Sequence, residues 1–171
     1  EVISVLEKFT STDPFVESQR HFCLGAAYNN LTYYKEAEYH LELAINLNHF
    51  EGGLDRKIAA CQSLFTVYLN TYQLAGMEKV LIYLKGIRPA NKKLMLTRAY
   101  CEFSYAIQKK NYAEAKQAIP MMEQIYSELN EHQSMSYLYD AYDLYLVENN
   151  IEMMNDVLER MKRSKKFKNP G

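Results

Sequence analysis

Small and large apolar residues alternate with polar ones at fixed offsets between Leu24 and Asn48, in the stretch L-G-A-A-Y-N-N-L-T-Y-Y-K-E-A-E-Y-H-L-E-L-A-I-N-L-N. Gly25 and Ala37 are small where two antiparallel helices would cross, so the two backbones can approach closely. Larger side chains would fill the space around that crossing, and these are Tyr28, Tyr34 and Leu41. The pattern predicts a helix pair that buries only part of its apolar surface alone and therefore stacks on a neighbouring pair.

The same pattern recurs along the chain with a period of about 39 residues. The segment N-Y-A-E-A-K-Q-A-I from Asn111 to Ile119 repeats the start of the second helix, and N-I-E-M-M near Ile151 repeats it again. The equivalent small or close-packed positions, spaced 40, 38 and 39 residues apart, are Ala37, Met77, Ala115 and Met154. Because methionine is flexible, Met77 and Met154 predict looser helix crossings in the second and fourth repeats.

Turn residues and helix caps divide the chain into helices. The 6 Gly and 4 Pro are few, which favours long helices over many short strands. Asp13 before Pro14 predicts a helix start, Asn91 predicts another, and Pro120 predicts a kink within a helix. Residues 1–9 are expected to be the end of a preceding helix. The predicted helix pairs occupy residues 13–51, 54–89, 91–129 and 132–168.

The repeat resembles the tetratricopeptide (TPR) repeat, which needs Leu-Gly, a Tyr three residues on, Tyr-x-x-Ala in the next helix, a large apolar residue and another Ala. His21 stands where an aromatic residue usually opens that pattern, and His49 where a Pro closes it. The resemblance implies an all-α fold, a right-handed superhelical solenoid of antiparallel helix pairs, in a single TPR-like domain over residues 1–171. The matching residues are Leu24, Gly25, Tyr28, Tyr34, Ala37, Leu41 and Ala44.

Composition narrows the range of partners. Hydrophobic residues make up 48% of the chain and the net charge is −1, so the overall charge implies neither a nucleic-acid nor a membrane partner. The stretch from Ile58 to Met77 has no charge, but its amides and hydroxyls make it a poor membrane span. Cys23, Cys61 and Cys101 form no disulfide framework and suit a reducing, cytoplasmic location. With no initial Met and no signal peptide, we expect a piece of a longer protein.

Motifs for catalysis or cofactor binding are missing from the sequence. No Gly-rich phosphate loop is present, and the histidines show no zinc-ligand spacing. Asp140 and Asp143 share a helix face, which suits a solvated acidic face, a contact with a peptide amine, a cation site or an acid–base pair. Cys61 and Cys101 are expected to be small buried hydrophobes. We therefore expect no enzyme activity, no cofactor and no bound metal.

A cluster of basic residues ends the chain. It can bind nucleic acid or an acidic partner, or it can complement the dipole of the last helix and extend into solvent. The second interpretation is preferred because a cationic last turn is common in helices. The cluster comprises Arg160, Lys162, Arg163, Lys165, Lys166 and Lys168.

The first helix of each TPR pair lines a concave groove, and carrying those positions onto this chain predicts a binding surface. It is rich in amides, hydroxyls and aromatic rings, which suits an extended peptide. A merely hydrated concave face is the alternative. The predicted groove residues are Gln19, Phe22, Ala26, Asn29, Asn30, Gln62, Thr66, Asn70, Tyr100, Ser104, Gln108, Tyr139 and Asp143.

The long repeat and this groove together resemble the peptide-pheromone sensors of Gram-positive bacteria, of the Rgg, Rap, NprR, PlcR and PrgX type. That resemblance implies a peptide-binding regulatory domain that controls an effector module, such as a transcription regulator, outside this chain. Asn29, Asn30 and Asn70 match by position the asparagines that hold the peptide backbone in such proteins. A homodimer is possible, and nucleic acid would be bound only through a missing N-terminal module. A general protein–protein adaptor and an accessory domain of an enzyme are the alternatives.

Overall fold

In a computed structural model of the chain, the described residues 2–47, 53–88 and 91–164 form helices and turns with no strand. The all-α prediction is confirmed. The α-helices among these residues are α1 Val2–Lys8, α2 Pro14–Asn30, α3 Tyr34–Leu47, α4 Leu54–Asn70, α5 Leu74–Gly86, α6 Lys92–Gln108, α7 Tyr112–Ile125, α8 Glu131–Val147 and α9 Ile151–Arg163. A short 3-10 helix, Tyr126–Glu128, follows α7.

The predicted helix starts are confirmed by capping hydrogen bonds. The Asp13 carboxylate accepts from the backbone N–H of Phe15 at 2.9 Å, just before α2. Asn91 accepts from the N–H of Leu94 at 2.8 Å, just before α6. These bonds satisfy amide groups that the first helical turn leaves without a partner. Pro120 lies inside α7, and the kink expected there remains a prediction.

Four backbone turns of the same construction join α2 to α3, α4 to α5, α6 to α7 and α8 to α9. In the first, the N–H of Tyr33 donates to Tyr28 O at 2.9 Å and that of Thr32 donates to Asn29 O at 3.0 Å. This is a Schellman motif, which closes a helix with one left-handed residue. The left-handed residues, 40, 38 and 39 positions apart, are Thr32, Tyr72, Lys110 and Asn149, with φ of 63°, 54°, 57° and 54°. The turns thus follow the period read from the sequence.

The chain divides into two compact units, residues 1–98 and 99–171, with the boundary inside α6. In unit 1, α1 packs on α2, α2 on α3, α3 on α4 and α4 on α5, while α2 and α4 also touch. The largest fully buried side chains of unit 1 are Phe65, Leu24, Leu41, Ile58, Met77, Leu84 and Leu94. The prediction that residues 1–171 form a single domain remains a prediction.

Two glycines in unit 1 allow close helix contact. A Cβ atom built on Gly25 would lie 2.5 Å from Leu41 Cγ and 3.2 Å from Ala37 O, which confirms the close packing predicted there. A Cβ on Gly76 would lie 2.6 Å from the ring of Tyr68. The sequence suggested no such role for Gly76. In each place a side chain would collide with a buried neighbour from the adjacent helix.

Unit 2 is held by a mixed aromatic and ionic cluster that joins α7, α8 and α9. The Tyr137 hydroxyl donates to Glu123, and Arg160 binds the same carboxylate at 2.8 Å. The Arg160 guanidinium also lies over the Tyr126 ring at 4.3 Å. At the repeat positions of this unit, Ala115 is fully buried as predicted, whereas Met154 is only half-buried. The partial exposure of Met154 fits the looser crossing predicted there, but Met77, for which the same was predicted, is fully buried.

Candidate functional site

The predicted groove residues of unit 1 lie on α2 and α4 and all keep some exposed surface. On α2 the intervals between them are three, four, three and one residue, and on α4 they are four, so each set lies on one side of its helix. Because α2 and α4 touch, these faces belong to neighbouring helices. Residues on α2 are Gln19, Phe22, Ala26, Asn29 and Asn30, and those on α4 are Gln62, Thr66 and Asn70. We call this surface the α2–α4 face.

Asn29 has an unusual environment on the α2–α4 face. Its Oδ1 atom is withdrawn from solvent and accepts no hydrogen bond from the described residues. A buried carbonyl oxygen without a donor costs about 1–3 kcal/mol. A donor that reaches this oxygen would remove that cost.

Other polar groups of the same face are already engaged. The Thr66 hydroxyl donates to the backbone oxygen of Gln62 at 3.1 Å, within its own helix. The Gln19 amide donates to the Cys23 sulfur at 3.5 Å, which is a weak contact. Asn29 Oδ1 differs from these groups of Thr66 and Gln19, because it receives no hydrogen bond from the described residues.

The residues predicted in unit 2 divide between surface and interior. Gln108 is half-buried, Asp143 is exposed and Tyr139 has 53% of its surface exposed. Tyr100 and Ser104 are fully buried, so the prediction that they line an open groove is wrong. The reason is that this side of α6 is covered by α8, where Asp140 accepts from the Ser104 hydroxyl at 3.1 Å.

Asp140 itself lies in the interior, which contradicts the solvated acidic face expected for Asp140 and Asp143. Burial raises the pKa of Asp140 to about 7, the Ser104 hydrogen bond opposes that shift, and the charge of Asp143 adds to it. Nearby, the Tyr100 hydroxyl is buried without a hydrogen bond of normal geometry, and burial raises the pKa of Tyr100 to about 12, although Ser136 and Ser104 oppose the shift. The Asp140 carboxyl group can therefore keep its proton near neutral pH.

A pair of histidines in unit 1 was not foreseen from the sequence. His21 Nδ1 and His40 Nδ1 are 2.8 Å apart, and the rings stack with centroids 5.0 Å apart. Arg20 Nη2 lies 3.0 Å from His21 Nε2 on the opposite edge of that ring. The two histidines are 19 residues apart on different helices, so no local spacing motif links them.

The remaining candidates take structural positions or lie outside the described residues. Cys61 and Cys101 are buried as predicted, and burial raises the pKa of Cys61 to about 12, which keeps it a thiol. Arg160 packs in the α7–α9 cluster rather than extending into solvent. Residues 165, 166 and 168 of the basic cluster lie outside the described residues.

The described part of the chain contains neither a metal-binding cluster nor a helix suited to crossing a membrane. Within it, no group of three or more His, Cys, Asp or Glu side chains could hold a metal ion. Among its helices, none has both the length and the apolar content that crossing a bilayer requires.

Comparison with known proteins gives no match to a family model, a curated protein or a solved structure.

Proposed function

We propose that the chain is a peptide-binding regulatory domain of the TPR type, a right-handed solenoid of helix pairs, in which the α2–α4 face binds an extended peptide. The four equal turns support the repeat, and the accessible amides support the ligand class. The observation that carries the proposal is Asn29 Oδ1, an acceptor withdrawn from solvent with no donor of its own. A backbone N–H of a bound peptide would supply the missing donor.

The Asn29→Ala variant should lose peptide affinity without losing stability. Peptide affinity should fall, because a peptide N–H would lose its acceptor at a cost of about 1–3 kcal/mol, or roughly 5- to 150-fold in Kd. The free energy of unfolding should stay the same or rise slightly, because the variant removes an unsatisfied acceptor. A residue with a merely structural role would not separate affinity from stability in this way.

The experiment uses a displayed library of random short peptides selected against the purified chain. The strongest peptide is then titrated by calorimetry into the original chain, Asn29→Ala and Asn70→Ala. Asn155→Ala is the matched control, since Asn155 is an exposed asparagine on α9 and outside the α2–α4 face. The tail variants Lys165→Ala and Lys166→Ala should bind like the original chain, because an uncharged backbone contact does not depend on distant cations.

Two outcomes would contradict the proposal. One is a selected peptide whose affinity is unchanged by Asn29→Ala and Asn70→Ala. The other is a loss of affinity in the tail variants alone, which would favour an acidic partner at the basic cluster.

The alternative is a general protein–protein adaptor, and one pocket favours it. A cavity of about 230 Å³ lies among α3, α4 and α5, with Ile45, Leu64 and Val80 in its lining. Lys79 and Glu42 form a salt bridge at 3.1 Å beside it. Such a pocket would accept one apolar side chain of a partner. Affinity lost in Leu64→Ala but kept in Asn29→Ala would support the adaptor.

The proposal also states what the domain controls, where it acts and whether it performs catalysis. Peptide binding in the cytoplasm would control an effector module such as a transcription regulator, and the domain itself would perform no catalysis and need no cofactor. The absence of a phosphate loop and of zinc-ligand spacing in the sequence supports a binding role. A second copy of the chain remains a possible partner.

A further inference from the structure

The first helix, α1, packs on α2 within unit 1. None of its residues is buried. Polar contacts join it to α2, and among them Arg20 Nη1 donates to Leu6 O at 3.3 Å and the Tyr28 hydroxyl donates to the Glu7 carboxylate. Each of these α2 side chains also touches the histidine pair. Arg20 contacts His21, and the Tyr28 ring stacks on His40 with centroids 5.5 Å apart and an interplanar angle of 2°.

The hydrogen bonds define the protonation state of both rings. A guanidinium can only donate, so His21 Nε2 must accept from Arg20. The proton of a neutral His21 is then on Nδ1, from which it is donated to His40 Nδ1. His40 must in turn carry its proton on Nε2. The chain Arg20, His21, His40 is therefore complete only when both histidines are neutral.

From this geometry we infer that the His21–His40 pair is an acid-sensitive latch, and that its protonation releases α1 from α2. A proton on His21 Nε2 would face the donors of Arg20, and one on His40 Nδ1 would face the donor of His21. Both are donor–donor contacts beside a fixed positive charge, and only 8% of His21 is exposed to solvent. Displacement of the two histidine rings would then disturb the contacts by which Arg20 and Tyr28 bind α1.

The surroundings of the pair favour its neutral form. Burial is the main cause that lowers the pKa of both histidines, and the charge of Arg20 lowers both further. Glu17 from α2 and Glu7 from α1 oppose these shifts at His21 and His40 respectively. Glu17 Oε2 lies 3.7 Å from His21 Nε2, but the same oxygen is bound more closely to Arg20, at 2.7 Å, which reduces its capacity to compensate a second cation.

Neighbouring elements contact other parts of α3. Tyr68 of α4 donates to Glu38 at 2.9 Å, and Lys79 of α5 binds Glu42 at 3.1 Å. Tyr39 packs edge-on against His40 with centroids 5.1 Å apart. Among the described residues, the charged groups outside the pair that shift the pKa of the two rings are Arg20, Glu17 and Glu7.

The repeat shows that the fold does not require histidines at these positions. The equivalent pairs in the other three repeats are apolar, and they are Cys61 with Val80, Ala99 with Ala118, and Leu138 with Val157. A helix crossing can therefore be filled by apolar side chains alone. The first repeat instead has a titratable pair at the crossing nearest α1.

Release of α1 would uncover an apolar groove on α2. That groove has a volume of about 230 Å³ and is lined from both helices. The lining includes Leu6 from α1, Phe9 directly after that helix, and Phe15, Val16 and Cys23 from α2. Gln19 of the α2–α4 face also lines it, so the latch lies beside the proposed peptide site but does not depend on it.

The test uses tryptophan fluorescence, because the chain contains no tryptophan. Phe9→Trp places one reporter at the end of α1, in the groove. Between about pH 7.5 and about pH 4.5, its emission should shift to longer wavelength, and the midpoint should lie below the ordinary pKa of histidine because the pKa of both rings is lowered. Its quenching by acrylamide should rise several-fold, while far-UV circular dichroism keeps the helical signal. Phe9→Trp with His21→Gln and His40→Gln should lose the transition, because a glutamine pair can donate and accept without titrating.

His132→Gln in the Phe9→Trp chain is the matched control and should keep the transition. Imidazole ¹⁵N spectra at neutral pH provide a measurement without any substitution: His21 should be the Nδ1–H tautomer and His40 the Nε2–H tautomer. The latch is refuted if both rings are Nε2–H tautomers, if the fluorescence transition survives in the double glutamine variant, or if the whole chain unfolds together with the transition.

Discussion

Gly25 offers a direct test of the helix crossing in the first repeat. In an exposed helix interior, Gly→Ala raises the free energy of unfolding by about 1 kcal/mol, because alanine is the better helix former. At Gly25, however, the new Cβ would lie 2.5 Å from Leu41 Cγ and 2.8 Å from Leu41 Cδ2. Leu41 is fully buried, and the backbone oxygen of Ala37 stands 3.2 Å away on the same side. The added methyl group has no free space.

Overpacking of a dense core costs about 1–3 kcal/mol, which exceeds the gain in helix propensity. Gly25→Ala should therefore lower the free energy of unfolding by up to about 2 kcal/mol, and Gly25→Leu by more. Gly86→Ala is the matched control, since no heavy atom lies within 4 Å of a Cβ built there. That variant should be neutral or slightly stabilised. Urea denaturation followed by circular dichroism measures both.

A double-mutant cycle with Leu41→Ala identifies the colliding atom. Leu41→Ala alone should cost about 2–5 kcal/mol, because it empties a buried site. In that background the clash with Leu41 Cγ no longer exists, so Gly25→Ala should change sign and become neutral or stabilising. If Gly25→Ala is harmless in the original chain, or equally harmful in both backgrounds, the contact between Gly25 and Leu41 is not the reason for glycine at this position.

Three further predictions follow from individual contacts. Thr32→Gly should raise the free energy of unfolding by about 1 kcal/mol in urea denaturation, because a β-branched residue is strained at φ 63°, whereas Asn149→Gly should change little because asparagine tolerates this conformation; equal effects would contradict the strain argument. Gly76→Ala should lower the melting temperature, because its Cβ would lie 2.6 Å from the buried Tyr68 ring; an unchanged melting temperature would exclude that clash. The pKa of Asp140 is raised in the folded chain from 3.8 to about 7, so its contribution to stability is present at acid pH and lost as the pH rises through 7. Asp140→Asn should therefore be more stable than the original chain at alkaline pH and not at acid pH, and parallel pH profiles would contradict the shift.

The backbone repeat could be predicted from the sequence because it depends on local signals. The offsets among Ala37, Met77, Ala115 and Met154 match those among the four left-handed turn residues. Helix starts also followed from local chemistry, since the capping side chain of Asp13 lies next to the amide that it binds. Gly76 shows the limit of such signals. Read alone it suggests a helix end, whereas in the fold it makes room for an aromatic ring from the preceding helix.

The candidate site was predicted less completely because exposure depends on neighbouring helices. Tyr100 and Ser104 fall at the helix positions that Phe22 and Ala26 occupy in the first repeat, yet α8 covers them and leaves the α2 positions partly accessible. The face that α8 covers cannot be deduced from α6 alone. The orphaned oxygen of Asn29 likewise depends on what surrounds it in three dimensions, since three asparagines of the same face look alike in the sequence.

One sequence signal could have pointed to both titratable clusters. When the repeats are aligned on their common period, Asp140 falls on Cys23, Ser63 and Cys101, so a carboxyl group stands where the other repeats have small neutral side chains. His21 and His40 differ in the same way from apolar residues in the other three repeats. At these helix crossings, packing requires only side chains of suitable size and shape. A titratable side chain in one repeat therefore adds a desolvation cost that packing does not require. We therefore expect proton-linked behaviour first at the positions where one repeat differs from the others. The pH profile of Asp140→Asn tests this expectation in unit 2, and that of the double glutamine variant tests it independently in unit 1.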